Sequence, residues 1–316
     1  MDPLSDVLSI SGICGTLGAR VEAGGNWATA FADVPDGAAL HIVTAGSAWL
    51  TAPERDPLEL SAGDVVLVGA GIPHTLGDAP GTRGSRCDRT ATARATLAGE
   101  VIALGSGPVT TRIVSLAYVC DRTVLTQVLT GLPDVVHVAA TAGTCLDDTV
   151  RMLGNELATP QVATTAVLNS LVDIVLVQLF RAWTADRPAA CAGTWLAMAG
   201  DPVVGPAVEE LHADPARGWT TSSLAAAISV SRATLARRFP AVIGTTPAAY
   251  LTTWRMDLAA ARLRQTLDPI EVIAPAVGYL SVPAFTRAFT RAHGRTPGRY
   301  RTEFRAGVQP RERAGA

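Results

Sequence analysis

The chain has 316 residues, 48% of them hydrophobic, with 29 Gly, 20 Pro and 5 Cys. That length suggests two or three domains with real cores. Five cysteines, few and odd in number, exclude a disulfide-stapled miniprotein, and the apolar content excludes a disordered charged chain. The formal charge of -2 hides a division, and all 26 basic residues are Arg. Residues 1–216 carry 11 Arg against 23 Asp or Glu, a net of -12, whereas residues 217–316 carry 15 Arg against 5 acids, a net of +10. Such asymmetry points to a nucleic-acid or membrane partner for the basic part.

Met1 to Ser11 holds two Asp and no basic residue, unlike the start of a signal peptide. Short β-branched runs follow, among them Ala39 to Val43, Ala48 to Leu50, Val65 to Val68, Thr111 to Cys120 and Val135 to Ala139. Gly37, Gly46, Gly63, Gly69 and Gly71 punctuate them, which predicts a sandwich or small barrel. Residues 146–186 then turn helical. Val167, Leu168, Leu171, Ile174, Val175, Leu179 and Trp183 recur at spacings of three and four, an apolar stripe suited to internal packing or to a dimer seam. Asp173, Gln178 and Arg181 interrupt its most apolar part, which falls short of the ~18 apolar residues of a membrane helix. The expectation is a cytoplasmic protein with reduced cysteines and no membrane partner.

From Asp201 onward the pattern is helical. Thr220 to Ser223 offers caps ahead of Leu224 to Ile228, and Ser231 caps a second helix holding Arg232, Thr234, Leu235, Arg237, Arg238 and Phe239. Leu235 and Phe239, four apart, share an inward face. Two short helices joined by a tight turn, the second rich in Arg, predict a helix-turn-helix. The unit is repeated. A shift of 50 aligns Ser231 with Ser281, Leu235 with Phe285, Arg237 with Arg287, Phe239 with Phe289, Gly244 with Gly294, Thr246-Pro247 with Thr296-Pro297, Tyr250 with Tyr300 and Arg255 with Arg305. The preceding helices correspond at a shift of 49, Leu224 to Ile228 facing Ile273 to Val277. Ala249 to Leu267 fits a helix connecting the two units. Arg is the commonest bidentate partner of guanine, and Ser, Thr and helix N-termini suit phosphate. The predicted DNA-binding residues are Ser231, Arg232, Thr234, Arg237, Arg238, Ser281, Val282, Thr286, Arg287 and Arg291.

Residues 217–305 resemble the DNA-binding domain of AraC/XylS-type transcriptional regulators. The resemblance rests on Ser231 to Phe239, Ala276-Val277-Gly278-Tyr279, Ala284 to Phe289 and Gly294 to Arg301. It implies two sub-domains bridged by one helix, each inserting a recognition helix into double-stranded DNA. Three prolines depart from it. Pro240 sits at the end of the first recognition helix, where it removes a helical hydrogen bond. Pro275 lies in the second scaffold helix, where it is expected near the N-terminus of a helix restarting after Pro269. Pro283 falls in a tolerant first turn.

Gly63 to His74 resembles the second motif of cupin barrels, with Gly69 where that motif usually has Pro, and Gly46 would end the first motif. This implies a cupin-type sensing domain. A metal-binding cupin takes two His and a carboxylate from the first motif. Here the carboxylate position holds Ala39, and no His stands among Ala32 to Pro35. His41, two residues on, points to the same side of a strand, so His41 and His74 could meet inside the barrel and hold a divalent metal ion if a cysteine completed the site. The alternative is a satisfied His74 and a pocket-wall His41. Ligand-binding candidates are His41, Trp49 and His74, and redox candidates are Cys14, Cys87 and Cys120.

The expected fold class is α+β and multidomain. A cupin-like β-barrel spans 1–140, a helical connector that could dimerise spans 141–200, and a double helix-turn-helix domain spans 201–316. The expected function is a non-enzymatic, sequence-specific transcriptional regulator, controlled by a small ligand, metal or redox signal. Expected partners are DNA, a second copy of the chain, a small-molecule effector, and RNA polymerase if it activates. The alternatives are a cupin-type metalloenzyme and an architectural DNA-binding protein whose first domain only dimerises.

Overall fold

The structure is a computed structural model that describes residues 3–11, 13–31, 37–119, 132–139, 141–186, 198 and 200–312. The chain divides into two compact units. The β-rich unit holds the strands β1 (Cys14–Gly24), β2 (Ala28–Phe31), β3 (Gly37–Ala45), β4 (Ser47–Thr51), β5 (Leu58–Ser61), β6 (Val65–Val68), β7 (His74–Gly77), β8 (Ser85–Arg86), β9 (Ile102–Gly105), β10 (Thr111–Val119) and β11 (Val135–Val138). It also holds helices α2 (Arg89–Leu97), α3 (Cys145–Ala158) and α4 (Thr164–Asp186). The helical unit holds α1 (Pro3–Ser11) and α5 (Val204–Ala213), α6 (Thr221–Ala227), α7 (Arg232–Ile243), α8 (Pro247–Gln265), α9 (Ile270–Ala276), α10 (Val282–His293) and α11 (Pro297–Glu312).

The strands form two sheets, ordered β11-β6-β3-β10-β1-β9 and β5-β4-β7-β2-β8. This is the double-sheet, jelly-roll-like form of the cupin fold, not a closed barrel. Strand parity builds the interior. Val43, Val66 and Val68 of the first sheet meet Ala48, Leu50, Leu60 and Leu76 of the second in one core cluster. The intervening residues Leu40, Ile42, Val65 and Leu67 are also buried, on the opposite face. The β3–β4 turn requires Gly46, whose φ is 73° and whose added Cβ would lie 2.1 Å from the Thr110 carbonyl oxygen.

Helix α4 has the length and hydropathy of a membrane span, with a mean hydropathy of 1.5. Its stripe of Leu168, Leu171, Val172, Val175, Leu176, Leu179, Phe180 and Trp183 is nevertheless buried. The helix packs against β1 and β11, and the Tyr118 hydroxyl donates to the Val172 carbonyl at 2.7 Å. Residues 145–186 therefore belong to the β-rich unit, where the sequence suggested a connector starting at 141. Val167 and Ile174, which the spacing placed in the stripe, lie exposed on the other side of α4.

The helical unit is built twice from one plan. Thr220, Ser231, Thr246 and Ser281 each cap a helix, the side chain accepting from a backbone N–H three residues on. Gly244 and Gly294 end α7 and α10 in the left-handed conformation, at φ 81° and 70°. Phe239 meets Tyr250 edge-on at 5.8 Å, as Phe289 meets Tyr300 at 5.4 Å. Arg255 donates to the Arg217 carbonyl as Arg305 donates to that of Thr266. The bridging helix α8 supplies Met256, Ala259, Ala260 and Leu263 to the second core, beside Ile273, Phe285 and Phe289. Pro240 lies inside α7 and the helix continues to Ile243. Pro275 sits in the last turn of α9, not near its N-terminus. The helix starts at Ile270, so Pro275 removes one bond, and Val277 closes the end by donating to Ile273.

Candidate functional site

The recognition helices show which predicted residues are free to meet DNA. In α7, Leu235 and Phe239 are buried, and Arg232, Ala233, Ala236 and Arg237 are exposed. In α10, Phe285, Phe289 and His293 are buried, and Pro283, Arg287 and Arg291 are exposed, with Thr286 half-buried. The Ser231 and Ser281 hydroxyls are occupied as caps, and the Thr234 hydroxyl lies 2.8 Å from that of Ser231. These three residues set the start of each helix. Arg238 is engaged elsewhere: its guanidinium donates to both carboxylate oxygens of Asp201, at 3.1 and 2.9 Å. Asp201 also accepts from the Val203 and Val204 amides at the start of α5. Arg238 thus holds α7 against α5, a role that spacing within one helix does not reveal.

Behind this surface, α1 is docked on its own unit through His212. The ring lies 3.6 Å from that of Trp254, nearly parallel. Its Nδ1–H donates to Asp6 at 3.2 Å, and Nε2 accepts from the Tyr250 hydroxyl at 2.9 Å. Arg264 donates to the Ile10 carbonyl at 2.6 Å. Burial pushes His212 down to about 3. Asp6 favours the protonated ring, but protonation would also cancel the acceptor that Tyr250 uses.

In the β-rich unit, register brings the histidines together. Ser115 of β10 stands opposite His41 of β3, and His74 of β7 stands opposite Phe31 of β2. His41 and His74 are 1% and 3% exposed and meet across the two sheets, their Nε2 atoms 2.9 Å apart. His74 Nδ1 must donate to the Ile72 carbonyl, at 3.0 Å. His74 Nε2 is then an acceptor, His41 Nε2–H the donor, and His41 Nδ1 accepts from the Ser115 hydroxyl at 2.8 Å. Phe31 stacks on His74 at 4.8 Å. Burial lowers His41 well below the usual imidazole range, with His74 adding to it, and burial also lowers His74.

Every ring nitrogen of the pair is thus used with both rings neutral. Two imidazoles are half of the four donors of a closed zinc site, and no cluster of three His, Cys, Asp or Glu occurs among the described residues. Cys120 and the side chain of Cys14 lie outside those residues. Cys87 is half-buried, its Sγ 3.6 Å from the Thr92 hydroxyl.

Three neutral buried histidines make the fold acid-sensitive. Below the unfolded value of 6.5 the unfolded chain binds protons that the folded chain does not. Stability is complete above that value and falls as pH drops through it. For His212 the expected loss is roughly 2 kcal/mol at about pH 5, and His41 and His74 add to it in the same direction. Urea unfolding between pH 8 and 5 checks this, and a flat profile overturns the neutral assignment.

The two recognition surfaces and the buried pair can be set beside known proteins. The cupin family matches residues 2–185, and a helix-turn-helix domain family matches residues 224–303. The chain is 37% identical, over 299 residues, to an AraC-like transcription regulator of Streptomyces antibioticus, covering 91% of this chain and 94% of that one. It belongs to the AraC family of DNA-binding transcription regulators. Over 308 residues the regulator is 28% identical to the HTH-type transcriptional regulator MtrA of Neisseria gonorrhoeae, covering 96% of this chain and 99% of MtrA. It is also similar, at 29% identity and a TM-score of 0.32, to the DNA-binding domain of AdpA in complex with a target DNA, over 34% of this chain and 96% of that one.

Within the regulator, one predicted ligand residue is displaced. Trp49 alternates with the buried Ala48 and Leu50 along β4, so it faces away from the interior that holds the histidines. An open groove of about 420 Å³, lined in part by Trp27, Thr82 and Arg83, contains none of His41, Trp49 and His74. The sequence alone does not reveal it because its residues come from strands and loops distant in the chain.

Proposed function

We propose that this AraC-family regulator binds specific double-stranded DNA sites in the cytoplasm as a homodimer, and that a small-molecule or metal signal acts on its β-rich unit at the His41–His74 pair. The observation that carries the reading is the twofold plan of the helical unit. Two capped helices each expose Arg on the face opposite their buried Phe, against a net charge of +10 in residues 217–316. Arg on such a face neutralises phosphates and reads guanine. The acidic remainder, at -12, disfavours DNA contact by the wrong surface.

Affinity for DNA falls steeply with salt under this reading. The slope is about -0.9 per phosphate neutralised, so about four contacts lose roughly 100-fold between about 50 and 200 mM salt. Fluorescence anisotropy on a labelled duplex measures it, and a salt-insensitive affinity rejects the reading. For the signal, metal content and DNA affinity are measured for the chain and for His41→Ala and His74→Ala. Stoichiometric metal lost in both variants identifies a metal signal. Without stoichiometric metal, an effector whose influence on DNA affinity disappears in the variants identifies a small ligand. DNA affinity indifferent to both variants and to every effector removes the sensing role and leaves an architectural protein. Turnover of a substrate with added iron would favour an enzyme instead.

A further inference from the structure

The two helix-turn-helix units differ by one residue, and the structure locates it. Ser229 donates to Ala226 and Val230 to Ala225. In the second unit Gly278 donates to Pro275 and Tyr279 to Ala274. The shift is therefore 49 up to Val230 and Tyr279. The helix caps that follow, Ser231 and Ser281, are offset by 50. The inserted residue is Leu280. It is a large apolar side chain with a relative exposure of 105%, and it directly precedes the cap of the second recognition helix.

The same end of α10 is apolar where α7 is cationic. Val282 and Pro283 occupy the positions of Arg232 and Ala233, with Pro283 exposed and Val282 half-buried against the Phe285 core. The exposed charges, Arg287 and Arg291, begin one turn further on. Leu280, Val282 and Pro283 offer no side-chain hydrogen-bond donor or acceptor, so they cannot read base edges as Arg does. An exposed apolar group at the head of a recognition helix has one specific complement in the major groove, the C5-methyl of thymine.

We infer that the second recognition helix selects thymine-bearing steps through the apolar head formed by Leu280, Val282 and Pro283, while the first selects guanine through Arg232 and Arg237. This rests on the proposed DNA-binding reading. The basic surface beside the head fixes the occupant as DNA, because the exposed Arg287 and Arg291 follow Pro283 at spacings of four along the helix.

The test isolates the methyl group. Operators are selected from random duplexes with the full-length chain, and each thymine is then replaced singly by deoxyuridine, which removes only the methyl. At one or more positions affinity drops about fourfold, the worth of one buried carbon group. In Leu280→Ala and Pro283→Ala the thymine-to-uracil ratio at those positions returns to one, with circular dichroism unchanged. The Arg237→Ala variant keeps the ratio while losing overall affinity. Ratios of one at every thymine, in a chain that still prefers its operator, overturn the inference alone, as do ratios unchanged in both apolar variants. Absence of any selected sequence overturns the DNA-binding reading itself.

Discussion

Replacing Phe289 by Ala destabilises the helical unit by about 3–5 kcal/mol and removes operator binding. Phe289 is fully buried, 5.8 Å from Phe285, 5.4 Å from Tyr300 and 4.3 Å from His293, ring centre to ring centre. Its loss opens a cavity between α8, α10 and α11, whose helices are held together by this shared core. A domain of this size has only about 5–15 kcal/mol in total, so the loss takes a large share of the stability that holds α10 in place. Urea unfolding followed by circular dichroism gives the loss, and a change under about 1 kcal/mol contradicts the packing described. Phe289→Leu keeps most of the volume and retains binding.

Arg237→Ala weakens operator binding by about 10- to 100-fold, the worth of a bidentate arginine on guanine, and Arg287→Ala weakens it less. Both arginines are exposed at equivalent positions of α7 and α10. They differ in company. Arg237 stands on a helix whose first turn also exposes Arg232, and Arg287 follows the apolar head of Val282 and Pro283. Loss of Arg237 should also relax sequence preference, whereas loss of Arg287 should act more evenly across sequences. Equal losses in a titration at fixed salt would contradict the larger role of Arg237.

The helical unit was legible because its signals are local. Caps at Ser231 and Ser281, Phe residues four apart and a repeated Thr-Pro start each act within one turn of helix, and duplication states them twice. The ion pair of Arg238 was not legible for the opposite reason. Its partner Asp201 stands 37 residues away, and nothing in the spacing of α7 reveals that ion pair. The His41–His74 contact was foreseen from strand parity and a motif, but Ser115, which sets the tautomer of His41, came into view only with the register of β10.

Charge division, the doubled helix-turn-helix and the alternation of the strands follow from the sequence by itself, since each depends on residues within a few positions or on simple counting. Only the tertiary structure decided that α4 buries its apolar stripe against the sheet, that Trp49 turns away from the histidines, and that Leu280 is the inserted residue. Those outcomes depend on which distant segments pack together, and burial and pairing are properties of that packing.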